Sequence, residues 1–175
     1  ITYTPSLADD AIEASTGLYI MTLGESDLRP LVERDDQRED LRHPVWTVDG
    51  IYYSHFRIVP EQDTEFTTGY TQTIDHLTTP DDSPVAFLQD AFEMHIASQG
   101  ILYLRFDPDI FVTELWRADP DGQNPRSVLD GSDFEDLASP RFFDGEIIFS
   151  ASGGPIEENI AEAHGAAWDL WRIDS

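Results

Sequence analysis

Cysteine and lysine are both missing from this chain of 175 residues. The lack of cysteine excludes disulfides and thiolate metal sites, and it leaves the redox compartment undefined. Ten arginines face 35 aspartates and glutamates, which gives a formal net charge of -25 at pH 7. A field of that sign repels phosphate groups, so nucleic acids and anionic membranes are poor partners. Cations, basic proteins or a high-salt environment suit such a surface better.

Long apolar runs and catalytic motifs are missing as well. No apolar stretch reaches the length of about 18 residues that predicts a membrane span. There is no Gly-x-Ser-x-Gly elbow and no His-Glu-x-x-His zinc motif, and the five histidines are scattered. We therefore assign no catalytic residue and no metal ligand, and we expect His43 and His95 to be hydrogen-bonded structural residues. The chain opens at Ile1 without a basic leader, which predicts a mature or trimmed product.

Three similar segments are the strongest positive signal. Residues 44–53, 94–103 and 139–149 each contain a short extended run, a tight turn with glycine, and an apolar strand. The glycines are Gly50, Gly100 and Gly145, so the three segments recur at a nearly constant spacing of 50 and 45 residues. A period of this size is typical of a β-propeller, in which each repeat forms one blade. With 40% hydrophobic residues, the chain has enough apolar side chains for a packed core.

The rest of each repeat also shows strand patterns. The predicted second strands are residues 1–4, 51–58, 101–106 and 146–150; the third strands are 18–23, 69–74, 114–118 and 169–173; the fourth strands are 28–32, 85–88 and 126–129. Aromatic residues recur at strand positions. We predict that Trp46, Trp116 and Trp171 pack in the core between blades.

The repeats resemble those of the TolB-type propeller family. The resemblance lies in an aromatic-Thr-x-Asp-Gly segment at 46–50, followed by Leu-Trp-Arg-x-Asp at 115–119 and 170–174, and Arg-x-Leu at 29–31. It extends over essentially the whole chain and is strongest at 17–56 and 113–149. Such motifs are more specific for a fold than for a function.

The predicted fold class is all-β. By the blade order of that family, the chain is a β-propeller segment of about four four-stranded antiparallel blades that lacks the first and the last strand. We expect one domain over 1–175, with blade parts 1–32, 43–88, 93–129 and 139–175. A complete ring of about six to eight blades then needs a longer molecule or a second chain.

The long polar loops predict the binding face. Loops that join fourth to first strands and second to third strands share one face of a propeller, and here they are the long ones: 7–15, 33–43, 60–66, 130–138 and 153–166. Arginine binds carboxylates in a bidentate manner, and the acidic residues suit basic partners. The candidate partner-binding residues are Arg34, Asp35, Asp36, Arg38, Arg42, His43, Asp133, Glu135 and Asp136.

Two segments could hold a cation, and neither predicts a strong site. Asp119 and Asp121 have the spacing that opens a calcium loop, but the bidentate glutamate does not follow at the required offset. Residues 155–165 look like a short helix in which Glu158 and Glu162 share a face without a histidine. No cofactor is therefore predicted, although calcium stays open.

The leading hypothesis is a non-catalytic extracytoplasmic binding or scaffold module that offers its acidic loop face to a protein partner. The resemblance implies this, because TolB-like proteins are periplasmic and work through protein contacts. One alternative is an accessory propeller of a larger peptidase whose catalytic residues lie outside this chain. A second alternative is a cation-dependent ligand-binding propeller.

Overall fold

A computed structural model describes residues 2–3, 17–24, 28–33, 39–60, 68–153 and 168–174. All regular structure in these ranges is β-strand, and the described part of the chain holds no helix of the length and hydropathy that a membrane crossing needs. The strands are β1 Thr2–Tyr3, β2 Gly17–Met21, β3 Leu28–Glu33, β4 Glu39–Thr47, β5 Gly50–Pro60, β6 Thr68–Leu77, β7 Val85–Gln89, β8 Phe92–Ala97, β9 Gly100–Asp107, β10 Val112–Ala118, β11 Arg126–Leu129, β12 Asp136–Phe143, β13 Glu146–Ser152 and β14 Trp168–Asp174.

The strands form four antiparallel sheets in chain order. The first sheet is β1-β2-β3, the second β4-β5-β6-β7, the third β8-β9-β10-β11 and the fourth β12-β13-β14. Each sheet is an up-and-down meander, as in a propeller blade. Among the described residues, the first and fourth sheets have three strands and the other two have four, which confirms the predicted fold class of a β-propeller segment.

The chain divides into two compact units, Ile1–Asp90 and Ala91–Ser175, each with two sheets. In the N-terminal unit, apolar residues of both sheets meet in one core of Leu18, Leu41, Ile51, Tyr53 and Leu77. In the C-terminal unit the core consists of Leu102, Leu104, Leu115, Leu137, Ile147, Phe149 and Ala151. In both units, alternate residues of the second strand of a sheet face this core, as strand periodicity requires.

A β-bulge interrupts the first strand of three sheets. His43, Glu93 and Ser139 have positive φ, and the pairing register shifts around each of them. A bulge adds one residue and increases the twist of the strand. Pairing resumes upstream of the bulge, so β4 begins at Glu39 and β12 begins at Asp136. The predicted loops 33–43 and 130–138 were therefore too long at their C-terminal ends.

The glycine repeat has a steric cause in two of the three segments. Gly50 and Gly100 have φ of +135° and +136°, and a Cβ there would lie 2.2 Å from the carbonyl oxygen of Leu77 and 2.4 Å from that of Ala118. Only glycine allows the neighbouring strand to approach so closely. Gly145 differs, because it lies in the turn, and Glu146 occupies the register position of Gly50.

Side chains of β8 bind the backbone of β12 in the C-terminal unit. The backbone N–H and hydroxyl of Ser139 donate to Glu93 Oε1 at 2.6 and 3.1 Å, and the N–H of Phe142 donates to His95 Nδ1 at 3.1 Å. These bonds satisfy donors on an edge strand, which protects the edge from pairing with other chains. The prediction of a structural role for His95 is confirmed.

Candidate functional site

The predicted partner-binding residues of the N-terminal unit divide into two groups. Arg34, Asp35, Asp36 and Arg38 lie outside the described residues. Arg42 and His43 are described and lie in strand β4, so their predicted placement in a loop was wrong, while their role in partner binding stays a prediction. Arg42 forms an ion pair with Asp40 and its guanidinium lies 5.6 Å from the ring centre of Phe56. Arg42 is thus already engaged within its own sheet.

The predicted acidic residues of the C-terminal unit lie together: Asp133 and Glu135 are in the loop before β12, and Asp136 is the first residue of that strand. Asp130, Asp133, Glu135 and Asp136, all exposed, form what we call the acidic loop, residues 130–136. Its backbone is fixed by two hydrogen bonds: the N–H of Phe134 donates to the Gly131 carbonyl at 2.9 Å, and that of Glu135 donates to the Ser152 carbonyl at 2.8 Å. The carboxylates are therefore presented on an ordered backbone.

Within the acidic loop, two carboxylates stabilise the local fold. Asp130 accepts hydrogen bonds from the backbone N–H and the hydroxyl of Ser132, and these bonds lower the pKa of Asp130. Asp136 accepts a hydrogen bond from Thr113 at 3.0 Å. Asp133 and Glu135 make no ion pair with any described residue. These two carboxylates remain available to a cationic partner.

A second group of polar residues lies on one face of the second sheet, and we call it the polar cluster: Glu39, Tyr53, His55, Arg57, Thr73 and Asp75. Its centre is Asp75, a buried carboxylate on β6. His55 Nδ1 donates to Asp75 Oδ2 at 2.8 Å, and the Thr73 hydroxyl donates to Asp75 Oδ1 at 2.7 Å. The Tyr53 hydroxyl is a third hydrogen-bond partner of this carboxylate.

The electrostatics of Asp75 follow from its burial and its donors. Burial alone would raise the pKa of Asp75, but the interactions with His55, Thr73 and Tyr53 together outweigh it and hold this pKa below its usual value. The pKa of Tyr53 is raised, first by burial and then by the charge of Asp75, so Tyr53 stays a donor. Asp75 is thus a buried anion whose charge is stabilised by three donors.

Glu39 is the second buried carboxylate of the polar cluster, with 6% of its surface exposed. Arg57, which is opposite Glu39 in the strand register, donates from Nε to Glu39 Oε1 at 2.8 Å and also contacts it through a terminal nitrogen. His55 Nε2 lies 3.8 Å from the same oxygen and makes no hydrogen bond with any described residue. The imidazole of His55 therefore sits between two carboxylates.

One member of the polar cluster, Asp75, stands where the third and fourth sheets have tryptophan. Asp75 is paired with Tyr53 in the register, and the residues in the same place of the third and fourth sheets are Trp116 and Trp171. Trp171 packs against the apolar core there, 5.1 Å from the ring centre of Phe134. The second sheet has a cavity of about 250 Å³ beside Asp75 instead. Sequence reasoning missed this cluster, although a comparison of the repeats shows Asp in the place of Trp.

The described residues do not bring together a complete set of groups for catalysis or for metal binding. His55 and Asp75 form a pair, but the Thr73 hydroxyl binds Asp75 and no nucleophile hydrogen-bonds His55 Nε2. No three His, Asp or Glu side chains of the described ranges form a group that could hold a metal ion. Asp119 and Asp121, the calcium candidates, accept hydrogen bonds from Asn124 and Gln123 in their turn.

The comparisons with known proteins give one structural likeness. No family model matches the chain, and no curated protein matches it. The chain resembles the β-propeller domain of the Trilobed protease from Pyrococcus furiosus, which is described as having an open velcro topology; the identity is 12%, the TM-score is 0.45, and the match covers 79% of this chain and 55% of that one. The chain therefore spans about half the length of that structure. The resemblance to the TolB-type repeat stays a prediction.

Proposed function

We propose that the protein is a non-catalytic propeller module that binds a basic protein partner through the acidic loop. The observation that carries this proposal is the pair of exposed carboxylates, Asp133 and Glu135, which have no cation among the described residues and lie on a hydrogen-bonded backbone. An ordered loop loses little conformational entropy on binding. An extracytoplasmic location, as the sequence predicts, belongs to the same proposal, and the accessory-domain alternative stays a prediction.

The net charge of the chain supports the choice of a basic partner. A formal charge of -25 attracts cationic proteins over distances of about a Debye length, roughly 8 Å at physiological salt. Exposed charge pairs each contribute little to affinity, and their main effects are on the association rate and on specificity. The acidic loop would therefore select and orient a partner, and the remaining affinity would come from other contacts.

The test uses a fluorescein-labelled octa-arginine peptide and two double variants that change the net charge equally. Asp133→Asn with Glu135→Gln neutralises the acidic loop. Asp121→Asn with Asp144→Asn neutralises two exposed residues in turns at the opposite strand ends of the same unit. Fluorescence anisotropy should show about fivefold weaker binding for the first variant, since two surface charge pairs are lost.

The control variant should stay within about twofold of the unmodified chain, and raising the salt should reduce the difference between the two variants. Equal weakening by both variants would mean that the peptide responds only to the overall charge. That result would contradict a binding site at the acidic loop.

A further inference from the structure

The cavity of the second sheet is partly open to solvent, since Arg57, Thr71 and Ala86 of its lining are exposed. It has a volume of about 250 Å³ and lies beside the polar cluster. The residues that line it are His55, Arg57, Thr71, Thr73, Asp75 and Ala86. Since one water molecule takes up about 30 Å³ of liquid, the space corresponds to about eight waters and is close to the size of a single sugar ring.

The lining of the cavity contains a buried carboxylate, which costs more folding free energy than an apolar side chain in the same place would. Burial of a carboxylate costs free energy unless hydrogen bonds compensate for it, and three side chains serve that purpose for Asp75 alone. At the same register position Trp171 of the fourth sheet packs in the core without any such network. Departures from the local rules of a fold are typical of functional sites.

The two carboxylates beside the cavity already have hydrogen-bond donors. Asp75 accepts from His55 and Thr73, and Glu39 accepts from Arg57. A cationic ligand would have to compete with these donors, and an anionic ligand would lie next to two carboxylates. The occupied carboxylates therefore favour a neutral ligand.

The unused hydrogen-bonding groups are a mixture of donors and acceptors. Arg57 uses its Nε and one terminal nitrogen on Glu39, and no other described residue is bonded to its remaining guanidinium N–H groups. The exposed Thr71 hydroxyl both donates and accepts. Each hydroxyl group of a ligand can also donate and accept, so a compound with several hydroxyls matches this mixture.

We propose that the cavity of the second sheet binds a neutral polyhydroxy compound of the size of one sugar ring, and that it does so without a metal ion. Thr71 and Arg57 bind its hydroxyl groups, and the methyl group of Ala86 contacts its C–H surface. This binding site goes beyond the partner-binding proposal and does not depend on it, because it uses none of the residues of the acidic loop.

Methyl NMR of chain labelled at alanine and threonine tests the proposal directly. The probes are two neutral compounds, methyl α-glucopyranoside and inositol, and two charged ones, glucuronate and glucosamine, each added in the presence of a chelator. We expect saturable shifts of the Thr71, Thr73 and Ala86 methyl signals with at least one neutral probe. Tighter binding of glucuronate or glucosamine, or no shift with either neutral compound, would overturn the proposal.

Matched variants locate the site. Ala86→Leu fills the cavity and should raise the dissociation constant of the neutral probe at least about tenfold, as a filled pocket excludes its ligand. Val85→Leu changes the exposed neighbouring residue, which does not line the cavity, and should leave binding within about twofold. Thr71→Val removes one hydroxyl group and should weaken binding about fivefold. Equal effects of Ala86→Leu and Val85→Leu would show that the probe binds elsewhere.

Discussion

The same tripeptide, Glu-Asp-Leu, stands at the start of the first strand of two sheets, but its environment differs between them. Glu39-Asp40-Leu41 begins β4, and Glu135-Asp136-Leu137 leads into β12. Both leucines are 2% exposed and lie in the cores of their units. The glutamates differ, because Glu39 is buried whereas Glu135 is exposed.

The cross-strand neighbour explains this difference. Arg57 is opposite Glu39 and binds its carboxylate. Glu135 has no such cation, since the residue that follows Ser152 on the facing strand is Gly153, and a Cβ at Gly153 would lie 2.3 Å from Glu135 Cγ. The glutamate side chain thus lies over the glycine and reaches solvent. The residue opposite the glutamate, Arg57 in one sheet and Gly153 in the other, therefore decides whether the tripeptide joins a polar cluster or an exposed loop.

The largest expected effect concerns what the two tripeptides share. Leu41→Ala and Leu137→Ala should each lower the free energy of unfolding by about 3 kcal/mol, because each deletes a fully packed core side chain. Urea unfolding gives the total change, and hydrogen exchange of β5 and β13 shows which unit loses protection. If only one of the two leucines proved important, the two strand starts would not be equivalent in packing.

The next effect concerns the glutamates, in which the two strand starts differ. Glu39→Gln should lower the free energy of unfolding by about 2 kcal/mol, since the variant leaves the cation of Arg57 without its buried partner. Glu135→Gln, the matched control, should change it by less than about 0.5 kcal/mol at its exposed position. Urea unfolding of both variants measures the difference. Equal values for the two would mean that the Glu39–Arg57 pair adds nothing to stability.

The strand pattern was predictable from sequence because local signals determine it. Alternating apolar residues and turn glycines gave β5, β9 and β13 to within a few residues. The starts of β4 and β12 were missed, since the bulges at His43 and Ser139 let pairing resume beyond the residues that break the pattern. A bulge depends on backbone geometry, which periodicity does not encode.

The sites were predictable to different degrees. The acidic loop is contiguous, so its charge is visible in the sequence itself. The polar cluster gathers Glu39, His55 and Asp75 from three strands, and only the strand register brings them together. Core packing was predicted for Trp46, which was wrong because Trp46 lies next to the β4–β5 turn and is 53% exposed. Position along a strand, as well as its period, determines burial.

The smallest expected effect separates the two units by their response to acid. The pKa of His95 is lowered from 6.5, first by burial and then by the charge of Arg141. Because the folded state binds this proton less tightly than the unfolded state, the stabilisation is complete above pH 6.5 and is lost as the pH falls through the lower folded value. Protonation of Nδ1 also removes the acceptor of the Phe142 N–H.

In the N-terminal unit the group with a lowered pKa is Asp75. Its pKa is lowered from 3.8, so its stabilisation is complete above pH 3.8 and is lost only below that value. Hydrogen exchange at decreasing pH, corrected for the intrinsic rates, should therefore show β8 and β12 losing protection before β5 and β6. His95→Gln keeps a side-chain acceptor but does not titrate, so it should remove this early loss in the C-terminal unit without changing β5 and β6. If His95→Gln left the early loss intact, another group would be responsible, and the acid response would not arise at the bond between β8 and β12.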